Sequence, residues 1–187
     1  MRRTLIALAA LAAIAVPVGT ANAAAPPKLP KPKSTVIKPN AGIGKVALGA
    51  KMKPRPKGWK NPFKCMSLQG LNGCVWTTRR DALPPQGQQG IAGSFVMVMG
   101  RKHVAGFIVS SGAKDVDTAS LRKWRTPNGI GFTSTLEEFV AAFPTAERNP
   151  STGSYKLLAN GNITVFVFTN NVLNTIEMYT CEEYGDC

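Results

Sequence analysis

The sequence predicts an α+β fold: two tandem small units, each a short helix packed on an antiparallel β-sheet, after a basic, proline-rich arm. Three observations predict it. A hairpin-like strand pattern occurs twice, a Gly-Ile-Gly triplet stands upstream of each copy, and residues 24–80 hold 13 Lys/Arg and no acid. The expected order is a signal peptide (1–23), the arm (24–40), a first repeat with a degenerate helix (41–111), a connector (112–128) and a second repeat (129–187).

The signal comes first. Arg2 and Arg3 precede an apolar run from Leu5 to Val18, and Ala21-Asn22-Ala23 supplies the small-x-small pattern of a cleavage site. The run is too short to span a bilayer comfortably. Cleavage after Ala23 would leave 164 residues (187 less 23), with no transmembrane segment and no nearby cysteine for lipid attachment. The product is expected to be secreted, or periplasmic and cell-wall associated, in a bacterial envelope. This length and composition exclude a membrane protein, a coiled coil and a large cofactor enzyme.

Charge is divided unevenly. The formal net charge of +13 falls to +11 when Arg2 and Arg3 leave, and residues 81–187 balance 8 basic against 10 acidic side chains. Seven prolines fall within 24–60. Proline lacks an N–H and fixes φ, so this stretch cannot form a helix or a central strand. It reads as an extended, self-repelling arm at least as far as Lys38. Its cations point to a polyanion such as an anionic envelope polymer, through Lys28, Lys31, Lys33, Lys38, Lys51, Lys53, Arg55, Lys57 and Lys60. Only Trp59 and Phe63 stand near them, which argues against specific nucleic-acid binding, where rings interleave with charge. The same arm also reads as a solubilising spacer, or as an arm that pairs with the acidic C-terminus of its own chain.

Four cysteines in an exported chain read as two disulfides. Three pairings are possible. Cys65–Cys74 and Cys181–Cys187 are expected because each closes a short ring around turn-forming sequence. Neither spacing is the C-x-x-C of a zinc ribbon or redox motif.

The repeat follows. Phe95-Val-Met-Val-Met-Gly runs through Arg101-Lys-His103 into Val104, and Val165-Phe-Val-Phe-Thr runs through Asn170-Asn171 into Val172. Each reads as a β-hairpin. Gly42-Ile-Gly44 and Gly129-Ile-Gly131 precede them. After the second triplet, Ser134 and Glu137 suggest a capping box. Leu136, Phe139, Val140 and Phe143 recur at helical spacing, and Pro144 ends the run. So short a helix must pack on something, and the expected surface is the sheet of 154–158, 163–169 and 172–180. Pro54 and Pro56 leave the first copy a turn or two at most. Asp115 to Trp124 should form a helical connector with Leu121 and Trp124 facing the core.

These motifs resemble the tandem module of the β-lactamase-inhibitory proteins and of outer-membrane assembly lipoproteins of the SmpA/OmlA type. The matching residues are Gly129-Ile-Gly-Phe-Thr-Ser-Thr-Leu136 and, more weakly, Gly44-Lys-Val-Ala-Leu-Gly49. The resemblance implies a fold and a binding role across 41–187. It carries over no functional residue. The lipoprotein cysteine is absent and the first helix is broken.

Catalytic and metal motifs fail in turn. Pro39 and Val46 break a phosphate loop at Gly42-Ile-Gly-Lys45. No G-x-S-x-G elbow exists, and Ala119, Ser120 and Thr126 break a calcium loop at Asp115. His103, the only histidine, falls in a basic turn. Glu182, Glu183 and Asp186 read as a solvated acidic loop, and Asn162-Ile-Thr164 is a glycosylation sequon. The chain therefore reads as a non-catalytic binding or scaffold protein needing no cofactor or metal. The alternatives are a secreted inhibitor of another protein, with Trp76, Tyr155, Tyr179 and Tyr184 as candidate anchors, and an enzyme of unrecognised type.

Overall fold

The computed structural model describes residues 27–53, 56, 58–68, 71–81, 92–112 and 117–184. The described residues are mostly β, compatible with an α+β fold, with two antiparallel sheets of which the larger has eight strands. In chain order the strands are β1 (Ile37–Lys38), β2 (Gly42–Ile43), β3 (Val46–Ala47), β4 (Lys64–Leu68), β5 (Leu71–Thr77), β6 (Phe95–Gly100), β7 (Val104–Ser110), β8 (Glu147–Arg148), β9 (Tyr155–Ala159), β10 (Asn162–Thr169) and β11 (Val172–Thr180). The first three form a separate small sheet, and the others lie in the order β4-β5-β6-β7-β11-β10-β9-β8. Helix α1 (Leu136–Ala142) lies between β7 and β8, and α2 (Cys181–Tyr184) ends the described chain.

Both expected hairpins form. β6 pairs β7 with an irregularity at Met99/Gly100. β10 pairs β11 around Asn170 and Asn171, whose φ angles of 52° and 64° are those a two-residue hairpin turn requires. The hairpins then pair with each other, with Ile176 opposite Val109 and Met178 opposite Phe107. Strands β4–β7 of the first half and β8–β11 of the second therefore share one continuous sheet.

Alternation gives the sheet an inner and an outer face. Trp76, Val96, Val98, Phe107, Val109, Phe166, Ile176 and Met178 turn inward and are buried in the main core. A smaller cluster of Val75, Phe95 and Met97 lies on the other face. Helix α1 covers β9 and β10 with the fully buried Phe139. Its ring centroid lies 4.7 Å from Phe166, 5.2 Å from Phe168 and 5.4 Å from Tyr155.

The capping box sits one residue later than the sequence suggests. Thr135 accepts from Glu138 N–H, and the Glu138 carboxylate accepts from Thr135 N–H. Ser134 is engaged instead by Gly131, whose N–H donates to its hydroxyl at 3.2 Å. The connector contains a 3-10 turn (Ala119–Leu121), and Leu121 and Trp124 are both buried. Among the described residues of 41–111 there is no helix. The cover over that half of the sheet is coil with β2 and β3, and Ile43 of the first Gly-Ile-Gly and Ile130 of the second both enter the core.

Cys65 and Cys74 are disulfide-bonded and face each other directly on β4 and β5. Cys181 is also disulfide-bonded; its expected partner, Cys187, lies outside the described residues, as do residues 1–26.

Two predictions follow from this packing. Phe139→Ala removes a ring surrounded by four others and should cost about 3–5 kcal/mol; chemical denaturation measures it, and a loss near zero contradicts helix-on-sheet packing. Replacing Cys65 and Cys74 with serine frees a ring of ten residues or so and should cost about 2–3 kcal/mol, with the pairing itself read by peptide mapping without reduction.

Candidate polyanion-binding surface

The basic segment is held against the body rather than projecting from it. Leu29 packs on the core, Pro30 is buried, and Ile37 is fully buried. Thr35 donates its hydroxyl to Lys123 O at 2.6 Å, and Ile37 N–H donates to Arg125 O at 2.8 Å. Farther along, Asn40 N–H donates to Thr164 Oγ1 at 2.7 Å, Thr164 donates to Asn40 Oδ1 at 2.8 Å, and the Asn162 amide donates to Asn40 O at 2.9 Å. The apparent sequon is thus a clasp for the N-terminal layer. At the end of the segment, Trp59 meets Trp76 edge-on at 5.0 Å, and Trp76 Nε1 donates to Lys60 O.

Against this apolar inner side, the cations turn outward. Lys28, Lys31, Lys33, Lys38, Lys51, Lys53 and Lys60 are all exposed. Arg55 and Lys57 lie outside the described residues. Lys28 and Lys31 line an open cleft of about 520 Å3, whose opposite wall is the 119–124 turn carrying Arg122 and Lys123. A neighbouring hollow shares Pro27 and Lys28 and adds Asn61, Phe63 and Arg80. No carboxylate is among the described lining residues of either.

Lys51 stands elsewhere, bridged through its backbone to His103 and near the Arg101-Lys102 turn. That region forms a hollow with Thr180 and Glu182. Its positive charge therefore has a carboxylate beside it, unlike the first cleft.

Ionisation adds little elsewhere. The Arg79 side chain donates two hydrogen bonds to Asp81, which hold that exposed carboxyl below its ordinary range. Lys156 pairs with Glu147 across the β8–β9 edge. Asp117, just ahead of the 3-10 turn, accepts hydrogen bonds from the Ser120 N–H and hydroxyl.

The candidate anchors separate. Trp76 is buried on the inner face, and Tyr155 packs there against Phe139. Tyr179 lies on the outer face across Gly106, where a Cβ would stand 2.7 Å from its ring. Its hydroxyl donates to Glu177 at 2.7 Å. The Tyr184 side chain lies outside the described residues, with those of Glu183 and Asp186. His103 is an exposed turn residue. Among the described residues no group of three His, Cys, Asp or Glu side chains is placed to hold a metal ion, and no helix is long and apolar enough to cross a membrane.

Arg122 and Lys123 were not among the cations singled out from sequence. The signal was present in the alternation of that turn, where buried Leu121 and Trp124 bracket two exposed cations. Compared with known proteins, the chain matches no protein-family model, no curated protein and no solved structure.

Deleting residues 24–60 removes Ile37, Ile43 and Trp59 from the core. The shortened chain 61–187 should therefore lose its cooperative thermal transition and its near-ultraviolet circular dichroism, whereas a spacer could be removed without either loss.

Proposed function

We propose that the chain is a secreted, non-catalytic binding or scaffold protein of the cell envelope, exported by residues 1–23, that holds anionic surfaces through its cationic N-terminal segment. One observation carries this reading. In the described part of the acid-free segment, Leu29, Ile37, Ile43 and Trp59 pack on the core, so its lysines form a fixed exposed array. A fixed array holds its charges in place before binding, and less freedom is lost on contact than from a mobile tail.

A second reading, an inhibitor of another protein, is favoured by the outer sheet face and by the proposed kinship with the β-lactamase-inhibitory-protein module. Tyr179 is set there beside the half-buried Ile163 and Val165, with Leu158 exposed at 56%. A partner docked there would use aromatic and aliphatic anchors and would tolerate salt.

The two readings separate by co-sedimentation of mature 24–187 with isolated cell envelopes across a salt series. Screening shortens from about 10 Å at 0.1 M to about 3 Å at 1 M, so an electrostatic complex should be released within that range. Replacing Lys28, Lys31, Lys33 and Lys38 with glutamine should lower retention while leaving the thermal transition in place. Salt-insensitive retention that survives the glutamine changes overturns the polyanion reading and favours a protein partner.

A further inference from the structure

We propose that the cleft between residues 27–35 and 119–124 is a binding site for a linear phosphate polymer, with Lys28, Lys31, Arg122 and Lys123 as its contacts. This deepens, and rests on, the polyanion reading above.

The cleft is built rather than incidental. A proline-fixed extended chain repeats every three residues. Lys28 and Lys31, three apart among Pro27, Pro30 and Pro32, both line the cleft while Leu29 between them enters the core. Across from them, Arg122 and Lys123 are forced outward by the burial of Leu121 and Trp124. The walls are joined by the Thr35 hydroxyl on Lys123 O and by the Ile37–Arg125 hydrogen bond. Four like charges are thus gathered around one space. None of the four forms an ion pair among the described residues, and Asp117, the acid next to this turn, is occupied by Ser120.

The chemistry selects the ligand class. Ammonium groups attract oxyanions as point charges, and the guanidinium of Arg122 adds paired, planar donors suited to phosphate. A chain of repeated phosphates meets successive cations along the cleft, whereas a single phosphate meets one or two. The ring at the cleft, Trp124, is 3% exposed and offers no face for a base to stack on. Leu29 also lines the cleft but packs against the core, so it is held at the wall rather than free to enter a lipid surface.

The test is equilibrium binding of labelled linear polyphosphate to the mature chain at low salt. Three variants carry the same change in charge: Lys28→Glu/Lys31→Glu, Arg122→Glu/Lys123→Glu, and Lys64→Glu/Lys102→Glu outside the cleft. Each cleft pair replaces two attractions with two repulsions and should weaken binding at least about tenfold, and the outside pair by far less. Arg122→Ala/Lys123→Ala should fall between wild type and the reversed pair, and thermal melts confirm that all variants fold. Equal losses in all three reversals overturn the cleft while leaving diffuse polyanion attraction standing. No binding by wild type overturns both readings. Tighter binding of oligothymidylate, or of anionic vesicles at equal phosphate, overturns the ligand class.

Discussion

Everything in this structure depends on covering the inner face of a single eight-stranded sheet. That face carries Trp76, Phe107, Phe166, Ile176 and Met178, all fully buried. Exposing such a row to water would forfeit about 1.5–3 kcal/mol for each large side chain. Helix α1 has seven residues and covers one end around Phe139. The other end is covered by a segment with almost no regular structure, from Leu29 through Ile37 and Ile43 to Trp59. A coil cover is demanding because its backbone groups still need partners. They find them on Arg125, on Thr164, on Lys102 and Val104 at the β6–β7 connection, and within the segment itself on Ala41.

That cover is also the most basic part of the chain, and the two properties follow from one pattern. Apolar residues are spaced among lysines and prolines so that one side of an extended chain faces the sheet and the other faces water. Proline suits this role: it removes donors that a coil cover would otherwise have to satisfy and reduces the freedom lost on folding. Lysines stay on the surface because burial of an unpaired ammonium is prohibitive. Composition alone suggests a detached arm. The buried Pro30 and Ile37 show the stretch to be part of the cover from residue 29 onward.

The elements that were legible in the sequence are those set by local rules. Strand alternation and Asn-Asn turn chemistry give the hairpins, and the spacing of Leu136, Phe139 and Phe143 gives α1. A nine-residue separation that closes across adjacent strands gives Cys65–Cys74. The cap slipped by one residue because Ser134-Thr135 and Glu137-Glu138 offer two boxes with identical local chemistry. Choosing between them depends on Gly131, whose N–H takes Ser134. What stayed hidden is non-local. The Asn40–Thr164 clasp joins residues 124 apart, and the pairing of β7 with β11 joins two hairpins with no sequence signal at the seam. The candidate cleft was half legible: Lys28 and Lys31 stand out in a basic run, but Arg122 and Lys123 become part of it only once Thr35 meets Lys123.

In the proposed site, placing like charges on a structural cover would couple stability to binding. Repulsion of Lys28 and Lys31 from Arg122 and Lys123 opposes the docking of residues 27–38 on the body, and that docking is what packs Leu29 and Ile37 on the core. The hydrophobic gain outweighs the repulsion because exposed charges interact weakly in water, so the arrangement is tolerated without a counter-charge among the described residues. An oxyanion bound there would remove that repulsion and add attraction to both walls at once. By linkage, a ligand that binds only the docked segment would stabilise it, and whatever holds the segment docked would raise affinity for the ligand in return. The same segment then serves two ends: its inner side completes the core, and its outer side, held in place by that core, presents the charge.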